Sequence, residues 1–299
     1  MGFSGGLDST VLLHAVCAFA RRAGLAPPLA VHVHHGLQAA ADDWARDCGA
    51  RATELGAGFM LHRISVERRG GDSIEAAARH ARLAAFARVD ADVVLLGHHR
   101  DDQAETVLFN ALRGSGIAGL AGMPVVRVWS GPPLLRPFLD VPRTSLHDYA
   151  AEYGLSWIDD PSNADIALRR NFLRHSVLPS IETGMPQARV ALARLAGHAA
   201  EAAQLLDELA ELDAATWTVE GELRCRAFVE LPPHRARNLL RRVLALHALR
   251  MPDAARLEEM LRQLSGGGRP EIRHEGYIIT RRQGRLIIEA TSPEDRPAS

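Results

Sequence analysis

The run Ser4-Gly5-Gly6-Leu7-Asp8-Ser9 restricts what this chain can fold into more than any other stretch. Two adjacent glycines let the backbone turn so that successive N–H groups converge on one point, the geometry of an anion nest. The apolar run that follows, residues 10–20, reads as a helix, so those N–H groups also stand at the positive end of a helix dipole. Ser4, Ser9 and Thr10 add hydroxyls, and Asp8 adds a carboxylate able to hold a magnesium ion against phosphate oxygens. There is no Gly-Lys-Ser/Thr ending, so this is not a Walker A loop. Loops of this kind follow a buried strand at the carboxyl end of an α/β sheet. Here only Met1-Gly2-Phe3 precede it. A central strand so reduced is expected to leave two strand edges exposed inside the domain, at more cost than the usual margin of stability. A start upstream of Met1, or a chain that is a fragment, is the simple account.

The rest of the first half alternates short apolar runs with amphipathic stretches, the pattern of βαβ units. Strands are expected at 29–34, 59–66 and 93–96, with weaker candidates at 125–129 and 134–139 that prolines interrupt. Helices are expected at 40–55, from a capping box of Asp72 and Glu75 with an apolar stripe of Ile74, Ala77, Ala81 and Phe86, from about Asp102, and at 141–153. Residues 114–122 form a glycine-rich connection. The turn 159–163 leads to a short helix at 171–178 and a long Ala/Leu-rich helix at 188–214. Two helices at 231–248 and 252–264 precede a hairpin, 277–282 with 285–289, across Gln283-Gly284. The expected fold is therefore a Rossmann-like α/β domain, a parallel sheet with helices on both faces, over residues 1–185. A helical connector at 186–215, a small mostly helical domain with a β-hairpin at 216–290 and a disordered tail at 291–299 complete it.

Composition sets outer limits. At 299 residues and 47% apolar content the chain can bury a sizeable core, and the length suggests about two domains. The net charge of −1 means that any contact with nucleic acid must come from local basic clusters. All 35 residues counted as Lys or Arg are arginine, so mechanisms that need an enzyme lysine, such as a Schiff base or a lysyl-AMP, are excluded. Cys17, Cys48 and Cys225 are far apart and odd in number, which gives neither a disulfide framework nor a C-x-x-C motif. The 10–20 run is too short for a bilayer and lacks a basic segment before it. A reduced, soluble, cytoplasmic protein without a membrane partner is expected.

Ligands of an open α/β sheet bind outside the carboxyl ends of its strands, where four segments should converge. They are the 4–9 loop, His32-Val33-His34-His35-Gly36, the run 97–106, and Arg113-Gly114-Ser115-Gly116. If a helix begins at Asp102, then Asp102 and Glu105 are one turn apart and share a face. That face suits a cation, a substrate ammonium group or magnesium; it equally suits an N-cap and a first-turn acid that serve only the helix dipole. The histidines do not form a zinc pattern: no cysteine is near, H-E-x-x-H is absent, and alternation sends His32 and His34 to one sheet face.

The 4–9 loop resembles the pyrophosphate loop of ATP pyrophosphatases, which cleave ATP into AMP and pyrophosphate. Further motifs narrow the resemblance to the tRNA(Ile)-lysidine synthetases. They are His34-His35-Gly36-Leu37, residues 74–79 with Arg82, residues 98–106, Arg113-Gly114-Ser115-Gly116 with Gly119-Leu120 and Met123, Leu135-Arg136-Pro137, Asp160-Pro161-Ser162-Asn163, and residues 170–174. They stand in the family's order over roughly residues 1–180, and the part beyond about Glu220 resembles the family's small substrate-binding domain more weakly. The resemblance implies that ATP adenylates the 2-carbonyl oxygen of the wobble cytidine in a CAU anticodon, and that the ε-amine of free lysine then displaces AMP. It places Ser4, Gly5, Gly6, Leu7, Asp8 and Ser9, with His34 and Gly114, at the nucleotide, and Asp8 at magnesium. Asp8, Asp102, Glu105 and Arg113 become the catalytic set, with Asp102 and Glu105 orienting the lysine or the cytidine. Arg79, Arg82, Arg136, Arg170, Asn171 and Arg174 are carried over to tRNA(Ile), and an oligomer is allowed.

Two other functions share parts of this pattern. A tRNA thiolase would need catalytic cysteines or an iron–sulfur site, for which Cys17, Cys48 and Cys225 are poorly placed. An inactive, truncated tRNA-binding paralogue would fit the shortened first strand. In the 231–248 helix, Arg235/Arg242 and Arg237/Arg241 flank the apolar arc of Leu240, Val243 and Leu244, where snorkelling explains them as well as RNA does.

Overall fold

A computed structural model describes residues 1–36, 40–64 and 74–291, with the backbone alone for 74–76. The Asp72–Glu75 capping box, the Ile74 side chain, Leu37, the end of the strand expected at 59–66 and the 292–299 tail lie outside the described residues. The chain divides into two compact units, Met1–Ala200 and Glu201–Ser299.

The first unit runs α1 (Leu7–Ala23), β1 (Leu29–His34), α2 (Ala41–Glu54), β2 (Gly58–Arg63), α3 (Ile74–Ala87), β3 (Val94–Leu95), α4 (Arg100–Leu112), α5 (Ile117–Leu120), β4 (Val126–Arg127), β5 (Leu134–Leu135) and α6 (Arg143–Glu152). A 3₁₀ turn, Pro161–Ala164, leads to α7 (Arg169–Phe172), a π turn, Leu173–Val177, and α8 (Leu178–Gly184). The long helix α9 (Ala188–Trp217) begins in this unit and ends in the second.

β1 pairs with β2 in parallel, β3 with β5 in parallel, and β4 lies antiparallel to β5. Met1-Gly2-Phe3 join these two pieces. Phe3 N donates to Val31 O at 2.9 Å and Val31 N to Met1 O at 2.8 Å, while Gly2 N donates to Leu95 O at 2.9 Å on the other side. The order is thus β2, β1, residues 1–3, β3, β5, β4. This corrects the expectation of two exposed edges. On one side β3 is itself two residues long, and on the other Met1 and Phe3 pair with Val31 in the first half of β1, so three residues fill the gap and Phe3 is 2% exposed. Gly2 is required there because a Cβ would lie 2.8 Å from Phe86 Cζ and 2.9 Å from Leu96 Cδ2.

Strand alternation divides the core between two faces. Ala30 packs with Phe3, Leu12, Leu13, Cys17, Cys48 and Ala52 under α1 and α2. Val31 and Val33 point the other way, against Ala85, Phe86 and Val89 of α3 and Val94 and Leu134. Helices therefore cover both faces, as in doubly wound sheets. On α1, Leu7 and Val11 bury themselves against Leu146 and Ala150 of α6.

Where a single short helix is expected at 171–178, α7, the π turn and α8 follow one another. The cause is Pro179 in the first turn of α8, which has no N–H to give to His175 O, so the preceding turn opens.

The second unit holds the end of α9, a small hairpin of β6 (Thr218–Val219) and β7 (Glu222–Leu223), then α10 (Ala227–Glu230), α11 (Pro233–Leu246) and α12 (Ala254–Ser265). Strands β8 (Glu271–His274), β9 (Tyr277–Arg282) and β10 (Arg285–Ala290) form an antiparallel sheet in the order β10-β9-β8. The β9–β10 turn uses Gln283 at φ 51° and Gly284 at φ 78°, the left-handed pair that a two-residue hairpin favours. Leu239, Leu240 and Leu244 of α11 meet Leu257, Met260 and Leu264 of α12 over Ile272 and Ile279 of the sheet. Three of the four flanking arginines of α11 are in ion pairs: Arg235 with the buried Asp213, Arg237 with Glu258 at 2.9 Å, and Arg242 with Asp207 at 2.9 Å and with Glu211.

Candidate active site

The loop of residues 4–9 is held from several sides. Gly5 adopts φ +84°, and a Cβ there would lie 2.7 Å from Cys48 Sγ and 2.8 Å from Ile158 Cδ1, so only glycine fits. Ile158 N donates to Gly5 O at 2.9 Å, tying the 157–163 segment to the loop. Ser9 Oγ donates to Gly6 O at 3.0 Å and lies 3.1 Å from Ser4 Oγ. Gly6 is the N-cap of α1, so the amides of Leu7, Asp8 and Ser9 have no acceptor within the helix and face outward as donors. The Leu7 side chain itself is core, and its share in the site is its N–H. Gly97 completes the seat, since a Cβ there would lie 3.0 Å from Asp8 O.

The loop opens into a cavity of about 530 Å³ at the carboxyl ends of the central strands. Ser4, Gly6, Asp8 and Ser9 line it together with His32, His34, His35, His98 and Asp102. Arg79, Arg82 and Arg136 form another part of its wall, and Trp44, Phe86, Ile158, Asp160 and Asn163 are further lining residues. Three of the four segments expected to converge do so. Arg113 and Gly114 are not brought there: α4 carries Arg113 about 17 Å along its axis from Asp102. Arg113 instead lies over the Phe109 ring, 5.3 Å from its centroid, with Arg170 at 5.8 Å from the same ring.

The acidic side is built at the start of α4. The helix begins at Arg100, not Asp102, with His99 as N-cap. Asp102 N donates to His99 Nδ1 at 3.3 Å and His99 N to Asp102 Oδ2 at 3.1 Å, a capping box. With Nδ1 accepting, the proton sits on Nε2, which faces Asp102 Oδ2 at 3.5 Å and Asp8 Oδ2 at 3.6 Å. Burial alone would raise the Asp8 carboxyl, but His99, with Arg143 and Arg174 farther out, outweighs it and the net shift is downward. Burial likewise opposes protonation of His99, and the neighbouring Asp8 and Asp102 more than reverse that.

Asp102 and Glu105 do share a face, and Arg174 from the π turn spans them. Its Nε and Nη2 donate to Glu105 Oε1 and Oε2 at 2.6 and 2.9 Å, and Nη2 also donates to Asp102 Oδ1 at 2.8 Å. Glu105 is 4% exposed, and its burial raises its carboxyl above the ordinary value despite Arg174. Arg174, carried over from the sequence to RNA, is therefore part of the acidic cluster. Asn171 is committed to its own loop, donating to Ser162 O at 2.8 Å and Asp165 O at 2.9 Å. Asp101, next to Asp102, serves packing through Arg189 at 3.2 Å.

The basic side differs. Arg136 is 2% exposed, gives Nη1 to Pro124 O at 2.6 Å, and leaves a buried Nε without a partner. Burial and then the charges of Arg170, Arg82, Arg136 and Arg127 push Arg79 down to about 10. Burial, with Arg136, Arg82 and Arg79, pushes His98 down to about 3, and burial with Arg82 pushes His35 to about 4, so both rings stay neutral.

Sequence reasoning missed Trp44 and Ile158 as cavity residues and the Arg174 clamp. Gly97 stands first in the run 97–106 that was expected at the site, and its place at a strand end fits close backbone approach.

Residues 1–181 match the family model described as a PP-loop domain, and residues 223–287 match the TilS substrate binding domain. A tRNA(Ile)-lysidine synthase of Nitrosomonas europaea is 43% identical over 89% of this chain and 58% of its own length. One of Pseudomonas syringae pv. tomato is 46% identical over 95% and 66%, and one of Chromobacterium violaceum 41% identical over 100% and 70%. The chain thus spans about three fifths to two thirds of the length of most curated relatives it matches. Among solved structures, the U34-tRNA thiolase NcsA of Methanococcus maripaludis, with its 4Fe-4S cluster, superposes with a TM-score of 0.56 over 66% of this chain and 70% of that one. At 17% identity that likeness shows the fold alone. On the PP-loop match and relatives more than 40% identical across nearly all of its residues, the chain belongs to the tRNA(Ile)-lysidine synthase family of PP-loop proteins.

Proposed function

We propose that this chain carries the catalytic part of an enzyme that joins free lysine to C2 of the wobble cytidine in the CAU anticodon of tRNA(Ile). ATP first transfers AMP to the 2-carbonyl oxygen and releases pyrophosphate. The lysine ε-amine then attacks C2, the C–O bond breaks, and AMP leaves. The observation that carries the reading is one cavity holding both the 4–9 loop and the carboxylate of Asp102, in a chain that also matches a tRNA-modifying family's substrate-binding domain.

The outward amides of residues 7–9 and the hydroxyls of Ser4 and Ser9 stabilise the leaving pyrophosphate. The donor set of Asp8 fits magnesium, because Oδ1 is buried without a partner while the carboxyl is held ionised. Bound there, the ion supplies positive charge against the phosphate oxygens. Asp102, which lines the cavity, meets the lysine ammonium. Glu105 and Arg174 lie behind it and fix its rotamer, so Glu105 is a positioning residue. His34 belongs to the nucleotide side of the same wall.

None of the three cysteines lines the cavity; all are buried, and burial pushes the Cys48 thiol to about 12 and the Cys225 thiol to about 11. That disfavours the thiolase reading. No helix among the described residues is long and apolar enough to cross a membrane, which is compatible with a cytoplasmic tRNA enzyme. The direct test is AMP release by the purified chain with ATP and a CAU-anticodon tRNA, with and without lysine. AMP release that depends on both supports the reading. Product formation with sulfide and none with lysine would overturn it.

A further inference from the structure

Arg174 has a counterpart that fastens the start of α4 to the helices behind it. Arg189, in the first turn of α9, gives Nε to Glu182 Oε1 of α8 at 2.9 Å and Nη1 to Asp101 Oδ2 at 3.2 Å. The side chains of Asp101, Arg189 and Glu182 are 16%, 20% and 28% exposed, so water and salt screen them less than an exposed pair. α8 follows directly on the π turn that carries Arg174. The two arginines therefore close a ring. It runs from Asp102 and Glu105 through Arg174 to the π turn, along α8 to Glu182, and through Arg189 to Asp101, the neighbour of Asp102. One point of attachment lets two elements pivot, and a second fixes the angle between them. Asp101 and Asp102 project about 100° apart on α4, so holding the first sets the rotation of the turn and with it the direction of the second. The other ties of this turn, Arg100 N to Val141 O at 2.9 Å and the capping box of His99 and Asp102, do not engage residues 173–189.

We propose that Arg189 is a positioning residue for the acidic pair. Acting through Asp101, it sets the first turn of α4 against the π turn and so keeps the Asp102 carboxylate aimed into the cavity. Its forked guanidinium suits the role, because one planar group reaches two carboxylates on different helices at once. A pair that merely stabilised the fold would leave the geometry of the turn to Arg174 alone. The inference rests on the proposed function for what Asp102 meets, but its effect on the turn is measured without any substrate.

The experiment compares the full chain with Arg189→Gln, Arg189→Lys, Asp101→Asn and the double variant Asp101→Asn/Arg189→Gln. The first readout is amide hydrogen exchange without ligand, in peptides covering residues 97–106 and, as a control, 29–34. The amides of Asp102 and Gln103, bonded to His99, report on the turn. Arg189→Gln is expected to speed their exchange about tenfold and to leave β1 unchanged, with the double variant no faster than Asp101→Asn alone. The second readout is lysine-dependent AMP release with ATP and a CAU-anticodon tRNA. Here kcat should fall about tenfold while the KM for ATP stays within about twofold, and Arg189→Lys should recover part of the loss. If Arg189→Gln does not fold, the isosteric Asp101→Asn carries the same comparison. Unchanged exchange at 97–106, exchange raised equally in β1, additive effects in the double variant, or undiminished kcat in a locally loosened variant would each overturn the proposal. A wild type that ligates no lysine, with the local and non-additive exchange still seen, would overturn the proposed function and leave the Arg189 brace standing.

Discussion

Asp8, Asp102 and Glu105 each meet a donor of the chain's own, His99 or Arg174, whereas Arg79 and Arg136 on the same cavity are pushed down by burial and by neighbouring arginines. The acidic side is thus held by contacts within the chain, and the basic side is a cluster of like charges. Satisfied networks hold rotamers, and clusters of like charge draw ligands of the opposite charge. The comparison implies that substitutions on the acidic side should disturb chemistry and stability together, and those on the basic side should disturb affinity.

The strongest break would come at Glu105→Ala. Removing this buried partner leaves Arg174 with Asp102 alone and frees the Asp102 rotamer, so lysine-dependent AMP release should fall about 10²–10³-fold while ATP binding stays within about threefold. Wild-type turnover in single-turnover assays would remove Glu105 from the mechanism. Next in size is Gly5→Ala, which combines a left-handed backbone with contacts to Cys48 Sγ and Ile158 Cδ1. A strain of about 1–3 kcal/mol is expected, with ATP affinity lowered at least about tenfold by calorimetry.

The pH dependence of stability sharpens the acidic half of the comparison. The folded-state pKa of Glu105 lies above its ordinary 4.5, so the folded chain holds that proton more tightly than the unfolded chain. Its contribution favours folding at low pH and is lost as the pH rises from 4.5 through the raised value. Wild type should therefore lose stability relative to Glu105→Gln across that window, read from urea midpoints at stepped pH. A wild type that instead gains stability relative to Glu105→Gln as the pH rises would show that Arg174, not burial, sets the carboxyl. The smallest effect belongs to Arg113→Ala. Its ring contact with Phe109 is worth about 0.5–1 kcal/mol, and ATP affinity and lysine turnover should each change less than about threefold. A large loss of turnover would return Arg113 to the catalytic set.

Much of this was readable in the chain itself. Leu29–His34 alternates and ends in histidines, and it forms β1 with those bounds. The carboxylates of Asp102 and Glu105 lie on one face because three-residue spacing on a helix requires it. What escaped depends on contacts between distant residues. Arg174 reaches Glu105 across 69 positions, and nothing local distinguishes it from Arg170, which lies over Phe109. β8 reads as polar because one face of Glu271–His274 is exposed, so only Ile272 marks it. The stub before the loop looked inadequate because one of its neighbours, β3, was expected to be longer than it is.

The π turn at Leu173–Val177 acts as a phase shifter. Each residue advances an α-helix by about 100°, so one residue too many in a turn rotates everything after it relative to everything before. Asn171 lies upstream, bound to Ser162 O and Asp165 O, and Arg174 lies within the turn, bound to Asp102 and Glu105. Deleting a single residue between Leu173 and Val177 would therefore tighten the turn and swing the guanidinium away from both carboxylates, although every side chain named in the site would still be present.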